Sequence, residues 1–142
     1  MVIVRTVTVD RPVAEVFAYL SDFTNTEEWD PGTVRTTRLT GVGGVGTTYL
    51  NVSRFLGRTT ELSYVVTDSE SPRLLRLLGQ NKTVVARDTM SLVETPTGGT
   101  ELTYRAEFEF TGLARVLAPL AAPAFRRLGD EAERGLCAAL AP

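Results

Sequence analysis

The chain contains no histidine. That removes Ser–His and Cys–His nucleophilic pairs and every histidine-ligated metal site. Cysteine is nearly absent too. Cys137 has no partner for an internal disulfide, and its place on an apolar-patterned terminal segment suits a small buried hydrophobe better than a nucleophile. Lys82 is the only lysine. It sits in the turn-like Gly79-Gln80-Asn81-Lys82, a poor setting for a buried Schiff-base amine. An excess of positive charge is also missing: 15 basic against 17 acidic residues leave a net charge of −2, which argues against a nucleic-acid partner. No apolar run is long enough to span a bilayer. The opening Met1-Val2-Ile3-Val4-Arg5 turns polar too early for a secretory leader, so the expected location is cytoplasmic. Nothing in the sequence asks for a metal or a cofactor.

What is present is the composition of a soluble globular protein. With 142 residues, 43% of them hydrophobic, a single domain over residues 1–142 can bury a real core. Val2 to Val9 reads as a β-branched strand. Asp10 suits a helix cap and Pro12 a first helical turn. Val13, Val16, Phe17 and Leu20 then recur at helical spacing as one apolar stripe. A second short helical turn over Asp22 to Glu28 ends near Trp29, and Asp30-Pro31-Gly32 is a turn.

Strand-like stretches come next, at Val34–Thr40, Thr47–Phe55, Arg58–Thr67, Arg73–Leu78, Val84–Glu94 and Glu101–Phe110. The last alternates most clearly. Leu102, Tyr104, Ala106, Phe108 and Phe110 share one face, and charged or polar residues share the other, as in a sheet with one dry side. From Gly112 onward, apolar residues return to helical spacing, with Pro119 and Pro123 interrupting the early turns. The predicted order is therefore strand, small helices, many antiparallel strands and a closing helix, which is an α+β arrangement.

Gly41-Val42-Gly43-Gly44-Val45-Gly46 fits the dinucleotide fingerprint literally. That mechanism needs a helix N-terminus after the glycines to hold a pyrophosphate. The next residues are instead the strand-like Thr47-Thr48-Tyr49-Leu50-Asn51-Val52, so the segment reads as a hairpin connection.

Acid–base chemistry would fall to carboxylates and tyrosines. Asp88 stands out as the weak catalytic candidate, because in the alternation Val84, Ala86, Asp88, Met90, Leu92 it shares a face with apolar residues. Three arrangements accommodate it: a carboxyl with a raised pKa or a specific partner on a dry concave face, a break in the strand register, or a structural pair with an arginine such as Arg76 or Arg54. Tyr49, Tyr64 and Tyr104 sit within strands and offer apolar bulk with one hydroxyl each, which suits a pocket as well as a core. Asn51 alternates with Tyr49 and could add a polar contact. Trp29 either closes the mouth of such a cavity or staples the small helices, and the mouth is the preferred place.

Asp10-Arg11-Pro12 with Glu15-Val16-Phe17-Ala18-Tyr19-Leu20-Ser21-Asp22, then Trp29, resembles the opening of the START-like (SRPBCC) superfamily. That superfamily takes in polyketide cyclase/dehydrase-like and Bet v 1-like proteins. Gly46 before a strand, Gly98-Gly99-Thr100 before the last strand and the terminal helix fit as well. The resemblance implies a helix-grip fold: an antiparallel sheet of six or seven strands around a long C-terminal helix, with an apolar cavity between them. It implies a small hydrophobic or polycyclic ligand such as a lipid or polyketide. The residues expected around it are Trp29, Tyr49, Asn51, Tyr64, Asp88, Met90, Tyr104 and Phe108, with Leu120, Phe125 and Leu128 from the helix. A cyclase or dehydratase using Asp88 and a tyrosine is the enzymatic alternative. A protein-interaction module with a collapsed cavity is another, and a homodimer is compatible with the sequence.

Overall fold

A computed structural model describes residues 1–142. Strand β1 (Val2–Val9) leads into helix α1 (Val13–Ser21), a 3-10 turn (Phe23–Asn25) and the short helix α2 (Thr26–Trp29). Six more strands are β2 (Thr33–Thr40), β3 (Thr48–Phe55), β4 (Arg58–Glu70), β5 (Leu74–Gln80), β6 (Val84–Glu94) and β7 (Thr100–Phe110). Helix α3 (Gly112–Leu117), a 3-10 turn (Ala118–Ala121) and helix α4 (Ala122–Ala139) close the chain. The strands form one antiparallel sheet in the order β1-β7-β6-β5-β4-β3-β2. This is the expected α+β helix-grip arrangement, with seven strands. No helix is long and apolar enough to cross a membrane.

Local chemistry explains most boundaries. The glycine-rich stretch joins β2 to β3 as a hairpin, with Gly41 and Gly43 at positive φ. Asp10 does not cap α1. The helix starts later, where the Pro12 carbonyl accepts from the amides of Glu15 and Val16. Strand β4 runs three residues past the expected Thr67, because a bulge between Val66 and Asp68 restores its pairing with β5. The two prolines divide the terminal helical segment into α3, the 3-10 turn and α4, each proline falling in a first turn that needs no amide donor.

Helix α4 crosses the sheet beside β1 and packs on α2. It buries Phe125, Gly129, Ala132 and Leu136. Cys137, expected in the interior, is exposed. It lies next to Leu136 and is therefore rotated about 100° from the buried stripe. Arg5 ties α4 to β1 by donating to Asp130 Oδ1 at 3.0 Å and to the Arg126 carbonyl at 3.1 Å. Where glycine occurs in α4, close approach is the reason. A Cβ at Gly129 would meet Ile3 at 2.6 Å, and one at Gly135 would run into the Trp29 carbonyl.

The inner face of the sheet has a closed end and an open end. At the closed end, Tyr49, Leu75, Leu77, Met90, Leu92 and Leu102 pack with Val16, Phe17 and Leu20 of α1 and with Leu136 and Leu140. A smaller cluster of Ile3, Ala106 and Phe125, flanked by Phe55, Phe108, Phe110 and Leu128, forms under the start of α4. The space between these two clusters is not filled.

A polar relay fixes α2 to the sheet. Asn51 Nδ2 donates to Thr36 Oγ1 at 2.9 Å. Thr36 Oγ1 lies 2.6 Å from Thr26 Oγ1, which itself donates to the Phe23 carbonyl at 2.8 Å. Thr26 has spent its only proton, so Thr36 must be the donor between the two hydroxyls. Thr36→Val removes the middle link and leaves a buried Asn51 N–H unpaired. The expected cost is about 1–3 kcal/mol, read as a lower urea midpoint with an unchanged slope. An unaltered midpoint would mean that the relay contributes nothing to stability.

Candidate functional site

A cavity of about 210 Å³ occupies the unfilled space. Its walls come from Ile3 of β1, Phe23 to Asp30 around α2, Asn51 to Phe55 of β3, Leu62 and Tyr64 of β4, Asp88 of β6, Tyr104 to Phe110 of β7, and Phe125 to Ala132 of α4. Alternation supplies these residues, since in a strand every second side chain faces inward. Asn81 and Thr83 also line it. With Arg54 and Thr60 they are exposed, and these four mark the mouth. Ala114 of α3 lines the cavity from the same side.

Of the expected residues, Trp29, Asn51, Tyr64, Asp88, Tyr104, Phe108, Phe125 and Leu128 surround this cavity. Tyr49, Met90 and Leu120 do not, and each needs correction. Tyr49 and Met90 point to the expected face but at its closed end. There Tyr49 packs 5.5 Å from the Phe23 ring, and Met90 is fully buried beneath α1. Leu120 is 80% exposed, because the proline-broken 3-10 turn shifts it out of phase with α4. Trp29 lines the cavity, yet it is only 2% exposed and sits in the wall with its ring edge 5.4 Å from Tyr104, not at the mouth. Asn51 is present, but both amide hydrogens are spent, on Thr33 and Thr36, and its Oδ1 accepts from Ser53.

Two chemical characters meet in the walls. The first is aromatic. Phe23, Trp29, Phe55, Tyr64, Tyr104, Phe108, Phe110 and Phe125 all border the space, which is eight of the chain's eleven aromatic side chains. Phe125 is their hub, with ring centroids 4.6 Å from Phe55, 5.2 Å from Phe108 and 5.6 Å from Phe110.

The second character is acidic. Asp88 is 5% exposed and has neither a hydrogen bond nor an ion pair, so the expected pairing with Arg76 or Arg54 is not made. Arg76 instead faces Asp68 on the outer surface. Burial, helped by the negative charge of Asp30, pushes the Asp88 carboxyl up to about 7. Asp30 also borders the cavity. Burial raises it too, against the lowering effect of Thr33 Oγ1 and the Gly32 amide, both of which donate to it. The hydroxyls of Tyr64 and Tyr104 complete the polar group. Burial raises both phenols well above their ordinary value, and the two aspartates add to the rise. Arg54 is the one cationic side chain in the lining, and it lies at the mouth.

Asp30 does not stand out in the sequence, because Asp-Pro-Gly is a complete turn signal on its own. Its one clue is that it directly succeeds Trp29. Phe55 and Phe110 are equally inconspicuous, since each ends a strand.

The sequence pattern of a family described as polyketide cyclase / dehydrase and lipid transport matches residues 1–141. No curated protein matches the chain in sequence. Among solved structures, the ZhuI aromatase/cyclase from Streptomyces sp. R1128 superposes with a TM-score of 0.81 at 13% identity, covering 99% of this chain and 93% of that one. A protein from Thermus thermophilus gives 0.77 at 14% identity, over 98% and 99% of the two chains. A START superfamily protein from Mycobacterium smegmatis gives 0.68 at 14%, over 94% and 97%. At such identities the likeness concerns the fold.

Proposed function

The chain belongs to the polyketide cyclase / dehydrase and lipid transport family, and from that premise we propose that it holds a small hydrophobic, ring-bearing molecule between the sheet and α4. The observation that carries this reading is the concentration of aromatic side chains around one enclosed space. A core built only for stability would close over such rings at native packing density. Here the rings touch one another yet leave a volume of about 210 Å³ that a small aromatic ligand can fill. Transfer of its carbon from water contributes roughly 25 cal/mol per Å² of apolar area, before association costs.

Trp29 makes the test direct, because the only tryptophan of the chain is in the cavity wall. Titration with the uncharged dye N-phenyl-1-naphthylamine is expected to light the dye while quenching Trp29 emission in a saturable way. Ala114→Phe, at the half-buried mouth, should weaken dye uptake about 10-fold with little change in unfolding midpoint. A folded protein that leaves the dye dark would reject the reading.

A second reading is catalytic, and the unpaired Asp88 favours it. A carboxyl poised near 7 in an apolar wall could exchange protons with a substrate carbonyl or its α-carbon. The hydroxyls of Tyr64 and Tyr104 could then stabilise an enolate oxygen. Turnover of a polyketide-like substrate that Asp88→Asn abolishes, with dye binding intact, would decide for the enzyme.

A further inference from the structure

The cavity does not treat all hydrophobic molecules alike, because its two buried-side carboxyls lack a cation. Asp88 has no hydrogen-bond or ion-pair partner among the protein's own groups. Asp30 is held only by neutral donors, the Gly32 amide and Thr33 hydroxyl. Every group facing this pair is acidic or neutral. Tyr64 comes from β4 and Tyr104 from β7. From α4 come Phe125, Leu128, Gly129 and Ala132, none of them charged. Glu131 acts on Asp30 from the outer side of α4 and adds negative charge. From β3, Arg54 remains at the solvent-exposed mouth without an ion-pair partner.

We propose that the cavity selects an organic cation: an aryl-substituted ammonium whose charged nitrogen sits by Asp88 and Asp30 while its ring lies among Phe125, Phe108 and Phe55. This rests on the hydrophobic-ligand reading above and specifies its chemistry. The physical case has two independent parts. A buried carboxylate without a partner is costly, and a bound cation is the partner that removes the cost. Aromatic faces attract cations through their quadrupoles, and Trp29 and Tyr104 are among the stronger ring types for this. A neutral ligand satisfies the rings and leaves the acids unanswered. A carboxylate ligand would add a third negative charge.

Binding is coupled to protons. An unoccupied Asp88 is substantially protonated at neutral pH, and a cation beside it favours the ionised form, so uptake releases a proton. A permanently charged ligand should therefore bind more tightly as pH rises through about 7.

The test compares trimethyl-[2-(4-hydroxyphenyl)ethyl]ammonium with its uncharged carbon isostere 4-(3,3-dimethylbutyl)phenol, each displacing N-phenyl-1-naphthylamine. The cation is expected to bind about 10-fold more tightly than the isostere at pH 8.5, from cation–π attraction and the ionised acid together. That preference should shrink by pH 5.5 to the part that cation–π attraction alone supplies. Asp88→Asn should show only that reduced preference already at pH 8.5, while still binding the dye and the phenol. A phenol that binds as well as the cation at pH 8.5, or an Asn variant that keeps the full wild-type preference there, would overturn the proposal and leave the hydrophobic-ligand reading standing. If the dye itself does not bind, both readings fail together.

Discussion

Asp88→Asn is expected to make the protein more stable at pH 8, by about 2–4 kcal/mol, although it alters a buried position in the cavity wall. The sign comes from where protons are bound. Unfolded, the carboxyl ionises near 4; folded, near 7. Below pH 4 both states are protonated and Asp88 costs nothing. Between pH 4 and 7 the unfolded chain ionises first, so stability falls as pH rises. Above 7 the folded state carries a buried, unpaired carboxylate at full cost, on the order of 4 kcal/mol. Asparagine has nearly the same shape and no charge, and loses part of the gain to burial of its amide. Asp30 is raised in the same direction and coupled to Asp88, so the wild type titrates as a pair and the variant retains a shallower slope from Asp30 alone. Urea unfolding at pH 5 and pH 8 checks this: the two proteins should differ little at pH 5 and clearly at pH 8. A constant difference at both values would contradict the assignment.

Gly135→Ala should act in the opposite direction and about as strongly. Alanine is worth roughly 1 kcal/mol over glycine inside a helix, so on helix propensity alone the substitution is stabilising. At this position, however, α4 presses against the end of α2, and the added methyl would occupy the place of the Trp29 carbonyl oxygen. The obstacle is backbone and cannot rotate away. Relief requires α4 to lift or Trp29 to shift into the cavity. We expect a net loss of about 3 kcal/mol, with a red shift of Trp29 emission as its wall opens. Gly44→Ala is the control, because a Cβ there meets nothing within 4 Å; it should stay within about 0.5 kcal/mol. A Gly135→Ala protein as stable as wild type would show that the two helices sit further apart than described.

These positions also show what could be read from the sequence. The alternation in β7 identifies its inner face correctly from Leu102 to Phe110, because period 2 is a property of the strand itself. The hairpin at Gly41–Gly46 is legible for a similar reason: the residues after it, from Thr47 to Val52, are β-branched and strand-forming. Alternation says which face a residue joins, not where along the strand the cavity begins. Asp88 and Met90 share a face, yet α1 roofs Met90 and leaves Asp88 open, a division made by residues more than 60 positions away in the chain. Tyr49 and Asn51 are split by the same boundary. Leu120 fails differently. Helical spacing extended across Pro119 and Pro123 misplaces it, because the 3-10 turn between them resets the phase. The second carboxyl, Asp30, is hidden because a turn already accounts for Asp-Pro-Gly.

The pairing of β1 with β7 also carries a consequence for how the protein is made. Ile3 sits opposite Ala106, and Met1 donates to the Phe108 carbonyl across 107 residues. On a ribosome β1 emerges long before β7, its neighbour in the sheet, exists. Until then it is a β-branched ribbon with two bare edges, the kind that recruits holdase chaperones or self-associates. Contacts of such long range also predict slow folding for a chain of this size. The cavity takes its wall from Ile3 of β1 and Ala132 of α4, so it cannot form until α4 has been synthesised.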